Sequence, residues 1–337
     1  MARLLGNSDN GHSCRHIVTI ILFQDAMNHP ELLASTPPFP STEAVLAQLR
    51  SMPGARLLRL LLALLQRAWP PLAVRLACGV FLTPLPAKFL RRRASMDASW
   101  HAKRWPFEGG DVMLYHHDSN AEGPLVLLVH GWGGNAGQMR PLAEALSAQG
   151  LRPVIIDLPA HGRSTGWQSS LPQFARAIEY IGAQLAHEGT AVQAIVAHSL
   201  GASASALAAA RGLPVERLVL LAPAASPPAY TRLFAQVFGL TEHTRAAMQV
   251  RIEAREAMLM PQFEPRSLGA RLDVPVLIAH DRSDRVNAFS DGLAYVQALP
   301  RAELFATEGL GHNRILKDPH VMDYVADFVA QNVERAK

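Results

Sequence analysis

The sequence predicts an α/β protein: a mostly parallel sheet with helices on both faces, a helical insertion, and a helical N-terminal extension. Three observations carry that prediction. Beyond residue 105, short apolar runs alternate with amphipathic stretches, the pattern of βαβ units. The alternation breaks once, between the runs at 218–221 and 274–279, over a stretch too long for a connection without structure of its own. Basic residues crowd the first 105 positions, 13 against 5 acidic, whereas the later part holds 19 against 23.

Composition sets the limits. With 337 residues, 49% of them hydrophobic, the chain can bury a large core. Its only cysteines, Cys14 and Cys78, offer neither a disulfide framework nor a zinc cluster. The basic N-terminal third lacks the aromatic and glycine interleaving of a nucleic-acid reader, so no nucleic-acid partner is expected.

Residues 1–52 are expected to be poorly ordered. The run 17–23 is short and lacks a small-residue cleavage site, which makes it a poor signal peptide and points to the cytoplasm. Met27 and Met52 stand beside Met1 as candidate starts, and the proline-rich 36–40 reads as linker.

Residues 53–104 read as a basic amphipathic helical extension. Arg56, Arg59 and Arg67 share one helical face, and the other is nearly all leucine. Two accounts fit: the leucines pack on the folded core, or residues 55–93 touch a membrane surface peripherally. Arginines and prolines interrupt every apolar run, so a spanning helix is not expected.

The domain from 105 to 337 should begin its strands at 112–115 and continue at 125–129, 153–156, 192–197, 218–221, 274–279 and 302–305. Helices are expected at 137–149, 172–187, 200–211, 288–299 and 319–333. The insertion, at about 222–273, reads as a helical lid over a site. Its Phe234, Phe238, Met248, Met258 and Phe263 would line a pocket or form the insertion's own core.

At 194–202 an apolar strand runs straight into a small-residue helix, with Ser199 at the corner and Ala197 and Gly201 two positions to either side. A sharp strand-to-helix turn needs small neighbours there, and it presents the serine hydroxyl as a nucleophile. At 129–135, Val-His-Gly-Trp-Gly-Gly-Asn follows another apolar run. Glycines free backbone N–H groups to face a developing oxyanion, and the expected donors are the amides of Trp132 and Leu200. His130 reads as structural. His116, His117 and Asp118 lack metal-ligand spacing and read as a surface turn.

From residue 105 onward the chain resembles the α/β-hydrolase fold superfamily, of the serine esterase and lipase kind. The resemblance rests on the A-x-S-x-G corner, the His-Gly-Trp-Gly-Gly loop, and Asp157-Leu-Pro-Ala-His161-Gly-Arg-Ser164, with Ala160 where the superfamily carries glycine. That last turn is scaffolding in the superfamily, so Asp157 and His161 take no catalytic role. The resemblance implies the chain order nucleophile, acid, histidine. His312 is then the base and Asp284 the acid, with Asp281 the alternative and Arg282 or Arg285 pairing with the other aspartate. His198, next to Ser199, points away from the position a base needs.

The implied activity is carboxylic ester hydrolysis through an acyl-enzyme on Ser199, on a small-molecule ester, without cofactor or metal. Two alternatives stand beside it: an acyltransferase or thioesterase acting on CoA-bound or carrier-bound acyl groups, and a non-catalytic, membrane-associated binding protein.

Overall fold

The computed structural model describes residues 53–84, 96, 99–117 and 123–331, so the segment expected over 1–52 lies outside the described residues. Its strands are β1 (Trp100–Phe107), β2 (Gly110–His117), β3 (Leu125–Val129), β4 (Arg152–Asp157), β5 (Val192–His198), β6 (Arg217–Leu221), β7 (Val276–Asp281) and β8 (Ala302–Thr307). They form one eight-stranded sheet in the order β1-β2-β4-β3-β5-β6-β7-β8. The β1–β2 and β2–β4 pairings are antiparallel, and every pairing from β4 across β3 to β8 is parallel.

The central strands β3, β6 and β7 are buried at every position, as a parallel sheet covered on both faces requires. Alternation then divides one strand between two cores. Leu125, Leu127 and Val129 join one cluster, and Val126 and Leu128 join the cluster on the opposite face. Helices α3 (Arg140–Ala148), α4 (Leu171–His187), α5 (Leu200–Ala210), α9 (Phe289–Ala298) and α11 (Pro319–Ala330) lie in the order expected for crossovers. Between them come α6 (Pro227–Phe238), α7 (Glu242–Glu256) and the one-turn α8 (Pro265–Leu268) of the insertion, and a one-turn α10 (Gly311–Arg314).

The sheet starts before residue 105, which moves the expected boundary of the extension. β1 is an edge strand in which only Trp100 and Trp105 are buried, while Lys103 and Arg104 face water. An edge strand wetted on both sides needs no apolar alternation, so its sequence carries no strand pattern. His116 and His117 likewise end β2, opposite His101 and Trp100, and form no surface turn; Asp118 lies outside the described residues.

The helices of the extension are α1 (Pro53–Ala68) and α2 (Pro70–Phe81), and they dock on the insertion. Arg59 Nη1 donates to the Val237 carbonyl at 3.1 Å, and Gln66 bridges the end of α6 by donating to the Gly239 carbonyl at 3.2 Å and accepting from the Thr241 amide at 2.6 Å. Phe81 meets Phe234 edge to face at 5.3 Å between ring centres. Buried Cys78 lies against α7, where its Sγ is 3.7 Å from the Met248 carbonyl. No helix among the described residues is long and apolar enough to cross a membrane.

Candidate active site

Ser199 sits between β5 and α5 at φ 54° and ψ −126°, a backbone conformation that costs a non-glycine residue about 1–3 kcal/mol. The strain persists because close packing fixes the corner. A methyl group at Gly201 would run into the His130 carbonyl, and one at Gly131 would lie 2.7 Å from Ser199 Cβ. The Ser199 amide is tied to the Leu221 carbonyl at 2.9 Å.

Strand ends bring the other groups to this corner, at the point where chain order in the sheet reverses between β3 and β5. Ser199 Oγ lies 3.0 Å from His312 Nε2, and His312 Nδ1 lies 2.7 Å from Asp284 Oδ2. With Nδ1–H donating to the carboxylate, Nε2 is left as an acceptor facing the hydroxyl. The other carboxylate oxygen, Asp284 Oδ1, accepts from the amides of Val286 at 2.7 Å and Asn287 at 3.1 Å. Burial pushes the Asp284 carboxyl up, but His280, His312 and the Val286 amide outweigh it and hold it well below the usual carboxylate range.

The alternative acid is engaged elsewhere. Asp281 ends β7 and accepts from the Ser283 amide at 2.9 Å, Thr307 Oγ1 at 2.8 Å and the Leu310 amide at 2.9 Å. Those bonds tether the loop that carries His312. Neither arginine of the loop serves Asp281; the Arg282 guanidinium lies over the Phe289 ring at 4.8 Å instead.

The Asp157–Ser164 turn supports the glycine loop after β3. Asp157 Oδ1 accepts from the Ala136 amide at 2.7 Å, and Oδ2 accepts from the Arg163 amide and Tyr115 hydroxyl, both at 2.8 Å. His161 Nε2 accepts from the Gly133 amide at 2.9 Å, and His130 Nε2 accepts from the Leu158 amide at 3.1 Å. The Gly134 amide closes a turn onto the Gly131 carbonyl at 3.0 Å. Among the described residues, the amides of Trp132 and Leu200 donate to no protein group. Ala160 occupies its position at φ 65°, where glycine would be free of strain.

A cavity of about 500 Å³ opens beside Ser199 and His312. The insertion contributes Tyr230, Ile252, Met260 and Phe263 to its wall, and the extension contributes Phe81 and Leu82. Of the five apolar residues weighed for the pocket, Met248 is fully buried in the core, Phe234, Phe238 and Met258 are partly buried and pack against it, and Phe263, itself a core residue, is the one that also lines the cavity.

Two residues of the site carry no local signal in the sequence. Asn287 Nδ2 donates to the Ala222 carbonyl at 2.7 Å and lies 3.5 Å from Ser199 Oγ, and its Oδ1 accepts from the Tyr230 hydroxyl at 2.5 Å. Among the described residues, no group of three His, Cys, Asp or Glu is arranged to hold a metal ion.

Comparison with known proteins agrees with this architecture. A family profile described as the alpha/beta hydrolase fold matches residues 124–250. The magnesium-chelatase 30 kDa subunit of Rhodobacter capsulatus is 33% identical over 132 residues, 37% of this chain and 46% of that protein, so the match spans about half the length of that curated relative. Among solved structures, Est1E of Butyrivibrio proteoclasticus with ferulic acid bound superposes at a TM-score of 0.53, with 21% identity over 70% of this chain and all of the other. The 2-hydroxy-6-oxo-6-phenylhexa-2,4-dienoate hydrolase of Rhodococcus sp. strain RHA1 also gives 0.53, at 20% identity over 69% and 99%. At these identities the likeness to both structures is one of fold.

Proposed function

We propose that this chain, which has the α/β-hydrolase fold and matches that family's profile over residues 124–250, is a serine hydrolase cleaving carboxylic esters. One observation carries the reading: the relay from Ser199 Oγ through His312 to Asp284, with contacts of 3.0 and 2.7 Å. Such a relay is what a weakly nucleophilic hydroxyl needs at neutral pH.

His312 Nε2 takes the hydroxyl proton as Ser199 Oγ bonds to the ester carbonyl carbon, and Asp284 steadies the imidazolium. The amides of Trp132 and Leu200 receive the oxyanion, each worth about 3 kcal/mol in the transition state. Collapse expels the alcohol, protonated by His312. Water, deprotonated by the same nitrogen, then attacks the acyl-serine and frees the acid. The chemistry uses no cofactor or metal, and the cavity of about 500 Å³, walled by the insertion, receives a small-molecule ester. The ferulic acid in the Est1E structure belongs to the product class of this reaction.

Thioester cleavage or acyl transfer from CoA or a carrier would use the same atoms with a different leaving group or acceptor. A panel of p-nitrophenyl esters and acyl-CoA thioesters of graded chain length, assayed with and without an alcohol acceptor, separates these readings. Ester turnover that falls at least about a thousandfold in His312→Ala supports the proposal. Turnover confined to acyl-CoA favours the thioesterase reading, and none on a folded protein favours the binding protein.

A further inference from the structure

The leucine side of α1 is wider than its packing surface. Leu58, Leu62 and Leu65 turn inward, whereas Leu57, Leu60 and Leu64 are 65–72% exposed and Leu61 is 43% exposed. Positions 57, 60, 61 and 64 follow helical spacing, so they form one strip along the outer face. Trp69 continues it at the corner between α1 and α2, 62% exposed, followed by Leu72. Arg56 and Arg67 edge the strip and Arg75 lies beyond it on α2, all three exposed. Positions 53–84 contain no aspartate or glutamate.

We infer that this α1–α2 face docks on an anionic lipid surface. An exposed apolar strip edged by arginines, with an indole at one end, matches a bilayer interface, where side chains enter the acyl boundary and guanidinium groups meet phosphate. A second copy fits less well, because a two-fold contact through the strip would bring the same arginines together with no acidic residue of the helix pair to answer them. The face also joins the cavity by a direct route. α2 starts at the exposed corner and ends at Phe81 in the cavity wall, and its 12 residues at about 1.5 Å each set the two roughly 18 Å apart. The inference does not depend on the proposed chemistry, since lipid docking and ester cleavage are measured separately.

The test is co-sedimentation of the full chain with vesicles of phosphatidylcholine alone or mixed equally with phosphatidylglycerol, together with its mass in solution by light scattering. A monomer that binds the anionic vesicles, and binds them less as salt is raised, is expected. Leu60→Ser with Leu64→Ser should lower partitioning about a hundredfold. Arg56→Glu with Arg67→Glu keeps the leucines and should abolish the preference for phosphatidylglycerol, so it serves as the test should the serine pair lower the melting point. Wild-type binding retained by both double variants, or no binding by the wild type, overturns the inference. A dimer that the serine pair dissociates overturns it in favour of self-association.

Discussion

His198 Nε2 lies 2.9 Å from the main-chain carbonyl of His312, and the two rings sit 4.6 Å apart. The residue before the serine thus fixes the backbone of the histidine that faces it, 114 positions later. Its proton belongs on Nε2, because a carbonyl only accepts. Burial first, and then the neighbouring His312, push its pKa down to about 3.

That depression has a definite consequence for stability. Between about pH 6.5 and 3 the unfolded chain binds a proton at His198 that the native state refuses, so native stability falls by about 1.4 kcal/mol for each pH unit of acidification. Asp281 and Asp284, both depressed, stabilise the fold above the ordinary carboxylate range and lose that contribution as pH drops below it. Asp291 and Glu179, whose carboxyls burial raises, act in the opposite sense, so the histidine's share between about pH 4 and 6.5 is read as the difference between the wild type and a variant at His198. His198→Gln keeps a donor for the His312 carbonyl without a titrating ring. Urea midpoints across that window should slope less in the variant; equal slopes would place the acid sensitivity elsewhere.

The two aspartates of one loop should separate by kind of damage. Asp284→Asn presents the wrong partner to His312 Nδ1–H and should lower kcat by about 10³–10⁴, along with some loss of melting temperature because its depressed carboxyl also stabilises the fold. Asp281→Asn disturbs three donors that tether the loop and should lower the melting temperature while kcat stays within about tenfold. Measuring kcat and melting temperature for both variants checks the assignment, and the reverse pattern would make Asp281 the acid.

Gly131→Ala probes the approach of the glycine loop to the serine. The added methyl would lie 2.7 Å from Ser199 Cβ, so the loop must retreat and carry the Trp132 amide with it. Loss of one donor's alignment should cost about a hundredfold or more in kcat, with the melting temperature moved by only a few degrees. Unchanged kcat in a folded variant would remove Trp132 from the oxyanion site.

Much of this was legible in the sequence because the central strands are buried on both faces and read as apolar runs, and because the turns after them need small residues at fixed offsets. The edge strand β1 was not, since wetted strands keep no pattern. The leucines of α1 could not be sorted into packed and exposed from periodicity, because they span more of the helix than one partner covers. Asp281 and Asp284 are chemically alike and three residues apart; only the fold shows one turned toward Thr307 and the other toward His312. Asn287 and Tyr230 meet across 57 positions, a pairing that no local spacing encodes.

A fluorophosphonate probe reports directly, and with little demand on substrate recognition, whether Ser199 is an activated nucleophile. Purified protein and a Ser199→Ala variant are treated alike, digested and searched for the adduct by mass spectrometry. A covalent adduct is expected on Ser199, absent from the variant and diminished in His312→Ala. A folded protein left unlabelled, with detergent present to admit the probe, would contradict the activation of Ser199.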